Sequence, residues 1–272
     1  MNLKPSLVKT VDVIGSPVTA LSFQEQIDII LQWASASKSS FVCVANTHML
    51  IEAHRVFSFW TILQAADLIT PDGMPLVWML KLLGVRRPDR VAGMDILLAL
   101  CQQAPRHNVP VFFVGSQSDI LDRMKEKLKQ NFSDLKIAGM EPLPFAQTAP
   151  SEDEALIKQI NDSGAKVVFV SLGCPKQEYW MASHKHKINA VMIGLGGVFP
   201  IYAGIHKYAP KLFRESGLEW LYRLYREPRR LWKRYASTIP IFVWLAIKQI
   251  FTGFFLTPKK QEAAVNNHNC DI

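Results

Sequence analysis

The chain has 272 residues, 49% apolar and 20% charged, a balance that belongs to a folded protein and excludes an intrinsically disordered one, with disorder expected only at the ends. Its formal charge of +8 calls for an anionic partner: nucleic acid, a membrane surface or a phosphorylated substrate. Its four cysteines, Cys43, Cys101, Cys174 and Cys270, lack the spacing of a zinc site or a disulfide framework and read as reduced thiols of a cytosolic protein.

Residues Met1 to Thr10 contain no long apolar stretch and do not read as a secretory signal. Val11 to Ile14 and Val18 to Ala20 flank Gly15-Ser16, which predicts a short hairpin, and Ser22 is placed to cap an amphipathic helix to about Ala36. An apolar strand is expected at Phe41 to Ala45, a helix from about Met49 to Ala66, and a strand at Leu68 to Thr70. Helices follow near Leu76 to Leu83 and Asp95 to Ala104, then a strand at Val111 to Val114 and a helix from Ile120 to Asn131. The alternation continues with strand Lys136 to Ala138, helix Glu152 to Asp162, strand Val167 to Leu172, helix Lys176 to His184 and strand Ala190 to Ile193. Continuous apolar strands alternating with helices predict an α/β fold: a Rossmann-like, mostly parallel sheet with helices on both faces.

Beyond about Ala203 the pattern changes to helices in which Arg214, Arg223, Arg226, Arg229, Arg230, Lys233 and Arg234 alternate with Leu, Trp and Tyr. Such interleaving suits a surface that is both anionic and apolar. Ser237 to Leu256 is mostly apolar but interrupted by Lys248 and Gln249, and carries Pro240 near its start. A spanning helix needs about 20 predominantly apolar residues. The segment therefore reads best as lying on a membrane, with the preceding arginines on anionic headgroups and Trp220, Trp232 and Tyr235 at the boundary, and with a spanning anchor and then a plain core helix as the alternatives.

In parallel sheets ligands bind where strands end and loops begin, and the polar residues of this chain collect there. In Thr70-Pro71-Asp72-Gly73-Met74-Pro75 a short turn holds the Asp72 carboxylate at the sheet rim, either as a general base toward a hydroxyl or as the cap of the next helix. Asn46 and Thr47 end the preceding strand and offer an amide and a hydroxyl to a sugar, unless Asn46 only caps a helix. In Arg90-Val91-Ala92-Gly93-Met94-Asp95 a guanidinium can clamp a diphosphate, with a solvated cluster of Arg86, Arg87 and Asp89 as the rival reading.

Gly115-Ser116 opens a helix after a strand and presents amides to a phosphate or ribose, without a full dinucleotide fingerprint. In Gly173-Cys174-Pro175-Lys176-Gln177-Glu178 a shaped turn projects Lys176 and Gln177 at a helix start, where Gln177 can read a sugar or uracil or be merely a polar first turn. Gly194-Leu195-Gly196-Gly197 allows close backbone approach. The seven histidines form no metal box and no Asp-X-Asp motif occurs, so no metal cofactor is expected. Arg214 is then the candidate from the carboxy-terminal segment to balance a departing diphosphate, against a plain surface charge.

The Asp72, Arg90 and Gln177 segments, in their order and separation, resemble those of the WecG/TagA/CpsF family of bacterial glycosyltransferases, from about Asp12 to about Tyr235. The resemblance implies an inverting transferase that moves a hexose, commonly N-acetylmannosamine, from a UDP-sugar to a polyprenyl-diphosphate-linked sugar in surface-glycan or teichoic-acid-type synthesis. It implies Asp72 as base and Arg90 as a diphosphate ligand. Some relatives carry a threonine where this chain has Val44, which leaves the donor sugar open; a UDP-glucose or glucuronate donor for exopolysaccharide is the alternative. The expected domains are a catalytic α/β domain at 1–203 and a basic, aromatic, helical membrane-targeting appendage with a disordered tail at 204–272. The expected partners are the UDP-sugar, the lipid-linked acceptor and an anionic membrane at the cytoplasmic face of the plasma membrane, not nucleic acid; homo-oligomerisation stays open. A non-catalytic membrane scaffold with a nucleotide fold is the rival from another class.

Overall fold

The structure is a computed structural model that describes residues 8–143 and 150–252. Residues 1–7 of the amino-terminal segment read as lacking a signal, Cys270, and the last residues of the apolar stretch with the tail beyond it lie outside the described residues. Strands β3 (Ser40–Ala45), β4 (Leu68–Pro71), β5 (Val111–Gly115), β6 (Ile137–Glu141), β7 (Val167–Ser171) and β8 (Val191–Gly194) form one sheet in the order β4-β3-β8-β7-β5-β6, with every pairing parallel. Five of these strands, β3, β4, β5, β7 and β8, are buried along their whole length, which is why they read as largely apolar runs. Their alternate side chains feed two cores. Phe41, Phe112, Val168 and Met192 face one layer of helices, and Val42, Phe113, Phe169 and Val191 face the other.

The expected hairpin forms as β1 (Thr10–Val13) and β2 (Ser16–Thr19), antiparallel and separate from the main sheet. It covers the β4 edge, where the Thr19 hydroxyl oxygen accepts a hydrogen bond from the Ile69 N–H at 3.2 Å. Ser22 caps α1 (Phe23–Ser35) in a full capping box with Glu25. The single helix expected over Met49 to Ala66 is two helices, α2 (Thr47–Arg55) and α3 (Phe57–Ala65), because Val56 adopts an extended conformation between them. The break turns α3 toward the hairpin, where Trp60 Nε1 and Gln64 Nε2 both donate to the Gly15 carbonyl, at 2.7 and 2.9 Å.

Then come α4 (Met74–Leu82), α5 (Gly93–Gln103), a 3-10 turn at Ala104–His107, α6 (Ser118–Asn131), α7 (Pro150–Asp162), α8 (Lys176–His184) and the short α9 (Val198–Tyr202). After Ala203 the chain returns over the β3–β4 end of the sheet as α10 (Lys211–Glu215), α11 (Glu219–Arg226) and α12 (Pro228–Thr252). Helix α12 is long and apolar enough to cross a membrane, yet one of its faces is packed on the protein. Phe242 and Leu245 join the core that contains Met49 and Leu50 of α2. Buried Gln249 accepts from the Ile14 N–H at 3.0 Å and donates to the Asp12 carbonyl at 2.8 Å, fastening the end of the helix to the hairpin.

Candidate active site

Strand β4 ends at Pro71, and the Asp72 N–H donates to the Ala45 carbonyl at 2.8 Å, which sets Asp72 beside the end of β3. Asp72 does not cap the helix that follows. Gly73 occupies the cap position of α4, and no side chain bonds to the helix terminus, so the carboxylate remains available to a ligand. Asn46, by contrast, does cap α2, its Oδ1 accepting from the Met49 N–H at 3.2 Å. That bond uses only the oxygen and leaves the amide donors for the cavity.

The Arg90 loop is laid against the outer edge of β4, where the Val91 N–H donates to the Pro71 carbonyl at 2.9 Å and the Thr70 hydroxyl to the Val91 carbonyl at 3.3 Å. Arg90 is held 3.6 Å from Asp95 and 3.5 Å from Glu219 of α11. Glu219 also receives Arg223, whose Nε donates to it at 2.9 Å. Gly217, with φ of +75°, lets the turn before α11 lie directly on Trp78 and Met74 of α4, because a side chain there would overlap the indole ring.

These elements enclose a cavity of about 510 Å³. Asn46, Thr47, Asp72, Arg214, Glu219, Arg223 and Arg234 line its polar part, and apolar residues of α4 and α12 line the rest. Burial raises the Asp72 pKa from its ordinary 3.8 to about 6; the Glu219 carboxylate adds to the rise, while Arg90 and Arg223 oppose it. A carboxylate poised so near neutrality, among cations, can accept a proton from a hydroxyl while arginines meet a developing anion. His48, in the first turn of α2, also faces the cavity. Burial, then Arg234 and Arg55, lower its pKa to about 4, so it is a neutral imidazole at ordinary pH, and its buried Nδ1 has no hydrogen-bond partner among the described residues.

The model of the Glycosyl transferase WecG/TagA/CpsF family matches residues 11–254, nearly the whole described chain. The chain belongs to that family. It is 32% identical over 249 residues to a protein of Bacillus spizizenii named N-acetylglucosaminyldiphosphoundecaprenol N-acetyl-beta-D-mannosaminyltransferase, covering 91% of this chain and 92% of that one. A Bacillus subtilis protein of the same name is 31% identical over 209 residues, 76% of this chain and 79% of its own length. The protein is therefore an enzyme, a glycosyltransferase.

Of the residues selected from sequence, this WecG/TagA/CpsF enzyme brings Asn46, Thr47, Asp72 and Arg214 to one cavity, with Arg90 joined to it through Glu219. Arg214 donates to the Ala209 carbonyl at 3.0 Å and to the Tyr208 hydroxyl at 3.1 Å, and its guanidinium lies over the Tyr208 ring, 4.2 Å from the ring centre. Gln177, Lys176, Gly115 and Ser116 do not line this cavity. Gln177 is buried below the glycine loop after β8; its Oε1 accepts from the Gly173 N–H at 3.2 Å and its Nε2 donates to Glu178 at 2.7 Å. Gly115 has a positive φ, a side chain there would meet the Ser171 carbonyl, and the Ser116 N–H donates to that carbonyl at 3.1 Å.

Sequence reasoning missed Glu219 and His48 as site residues, and read Arg223, Arg234 and Tyr235 only as membrane-facing. Glu219 lies 129 residues from Arg90 in the chain, so no local pattern marks their pairing. Among the described residues no group of three or more His, Cys, Asp or Glu is placed to hold a metal ion, and Cys43, Cys101 and Cys174 are free thiols.

Proposed function

We propose that the enzyme transfers N-acetylmannosamine, or a related hexose, from a UDP-sugar to a sugar carried on a polyprenyl diphosphate, with inversion at the anomeric carbon. The observation that carries this reading is the uncapped Asp72 carboxylate, with its pKa near 6, at the floor of a cavity that is cationic on one side and apolar on the other. The two named relatives supply the substrate class. Asp72 takes the proton of the acceptor hydroxyl as that oxygen attacks the anomeric carbon from the face opposite the UDP leaving group. The anomeric C–O bond breaks with its electron pair going to the diphosphate.

Arg90, Arg223 and Arg214 supply the positive charge for that diphosphate, so no metal ion is required. A second, smaller cavity of about 150 Å³ lies beyond Arg223, lined by Gly197, His206, Lys207, Arg226 and Arg230. Arg223 borders both cavities, and the donor diphosphate is assigned to that common wall. Asn46 and the neutral His48 hydrogen-bond the sugars.

The enzyme docks on the cytoplasmic face of the membrane through the outward side of α11 and α12. Tyr225, Trp244 and Phe251 are 82%, 60% and 84% exposed there, beside the basic residues Arg226, Arg229 and Lys233. The test is release of UDP by the full-length protein from a panel of UDP-hexoses, with and without a diphosphate-linked N-acetylglucosamine acceptor. Acceptor-dependent release from one donor is expected. A folded, vesicle-bound protein that turns over no donor, even with native lipid extracts as acceptor, overturns the reading and favours a non-catalytic scaffold.

A further inference from the structure

We propose that the groove between α4 and α12 holds the isoprenoid chain of the acceptor, so that the lipid enters the site sideways from the bilayer; this rests on the acceptor class proposed above. The cavity changes character along its length. Asp72 stands at one end, and from there α4 leads away with Trp78 and Leu82 lining one wall. The other wall is α12, which presents Arg234 and Tyr235 first and then Ile239, Val243, Ile247 and Ile250. Those four isoleucine and valine positions fall on one stripe of the helix, which rises about 16 Å from Ile239 to Ile250 at 1.5 Å per residue.

The order of chemistry along this path matches the order of groups in a sugar-diphosphate-isoprenoid. A sugar hydroxyl at Asp72 places the diphosphate near Arg234, which forms no ion pair within 4 Å among the described residues. The hydrocarbon must then leave past Ile239 toward Ile250. The groove is open to the outside along that stretch: Trp78, Leu82, Val243, Ile247 and Ile250 are between 41% and 65% exposed although all are apolar. A soluble donor needs no such exit. An acceptor anchored in a bilayer does, because its head can reach Asp72 only if its tail has a continuous apolar path to the lipid phase.

Two properties separate this groove from the general membrane face. Trp244 is exposed on α12 but does not line the cavity, whereas Val243 and Ile247 do both. Losing Trp244 should weaken docking alone, and losing Ile247 should weaken tail binding even where no membrane is present.

The experiment uses the full-length protein in detergent solution with two acceptors that share the N-acetylglucosamine-diphosphate head, one with a long isoprenoid and one with a short alkyl chain. Ile247→Ser and Leu82→Ser are expected to raise KM for the long-chain acceptor about tenfold while leaving the short-chain acceptor and the donor KM unchanged. Trp244→Ser is expected to reduce vesicle binding and keep the wild-type preference for the long chain. Equal losses on both acceptors, or a wild type indifferent to chain length, overturn the groove.

A second measurement is independent of turnover. Equilibrium binding of geranylgeranyl diphosphate, without donor, should weaken about tenfold in Ile247→Ser. Unweakened binding overturns the groove. Normal weakening in a protein that transfers to neither acceptor would retain the groove and overturn the proposed reaction.

Discussion

Replacing Asp72 with Asn should remove activity and at the same time stabilise the protein. The substitution keeps shape and polarity but removes a charge that the fold holds in a partly desolvated place beside Glu219. The carboxyl pKa rises from 3.8 to about 6, and each unit corresponds to 1.36 kcal/mol, so ionising Asp72 in the folded state costs about 3 kcal/mol at most. Water entering the cavity screens part of this, which puts the expected gain for Asp72→Asn at about 1–3 kcal/mol above pH 6.

The sign follows from linkage. Below the unfolded value near 3.8 the group is protonated in both states and contributes nothing unfavourable. Between there and about 6 the unfolded chain ionises first, folding takes up a proton, and wild-type stability falls as pH rises; above about 6 the loss is complete. Denaturant unfolding of wild type and Asp72→Asn from pH 4 to 8 should therefore show curves that meet at the acid end and separate with increasing pH. Turnover of the variant at pH 8 should be lower by about 10²–10⁴, the usual worth of a positioned general base. Equal or lower stability of Asp72→Asn at pH 8, or near-normal turnover, would refute the argument that burial and Glu219 hold this carboxylate near neutrality for catalysis.

Arg90→Ala removes a cation that opposes the rise of the Asp72 pKa, so the acid limb of kcat/KM should move to higher pH, with a rate loss of about 10²-fold; a rate loss without a shifted limb would confine Arg90 to substrate binding. Gln177→Leu leaves the Gly173 N–H without its acceptor and buried Glu178 without its donor, and should cost about 2–4 kcal/mol by denaturant unfolding. Unchanged stability with a raised donor KM would instead make Gln177 a sugar ligand. Because arginines carry the leaving-group charge in the proposed reaction, prior treatment with EDTA should leave turnover unchanged; loss restored by added divalent cation would contradict that assignment.

The sheet was legible because its central strands are buried on both faces and so appear as continuous apolar runs separated by helical periods. The break at Val56 was not legible, since the apolar pattern runs through it and only the docking of Trp60 and Gln64 on the hairpin turn calls for the change of direction. Asp72 stood out because Pro-Asp-Gly after an apolar strand places a carboxylate at a sheet rim whatever the surroundings. Its environment was hidden. Glu219, Arg223 and Arg234 occur in a stretch whose interleaved arginines and aromatics suggest a membrane surface, and only the return of α11 and α12 over β4 turns part of that stretch inward. Gln177 shows the converse: a glutamine in a first turn reads alike whether it is open to solvent or lies buried under glycines, and only the close approach of Gly194 and Gly196 shows that it is buried.

The account is tested most directly by isolating the product formed when the full-length enzyme meets UDP-N-acetylmannosamine and a polyprenyl-diphosphate-linked N-acetylglucosamine. The expected result is a lipid-linked disaccharide with an inverted anomeric centre, formed by wild type and absent with Asp72→Asn under conditions where both proteins are folded. Free sugar with no disaccharide, a retained anomeric configuration, or equal product from the variant would contradict a single displacement driven by Asp72.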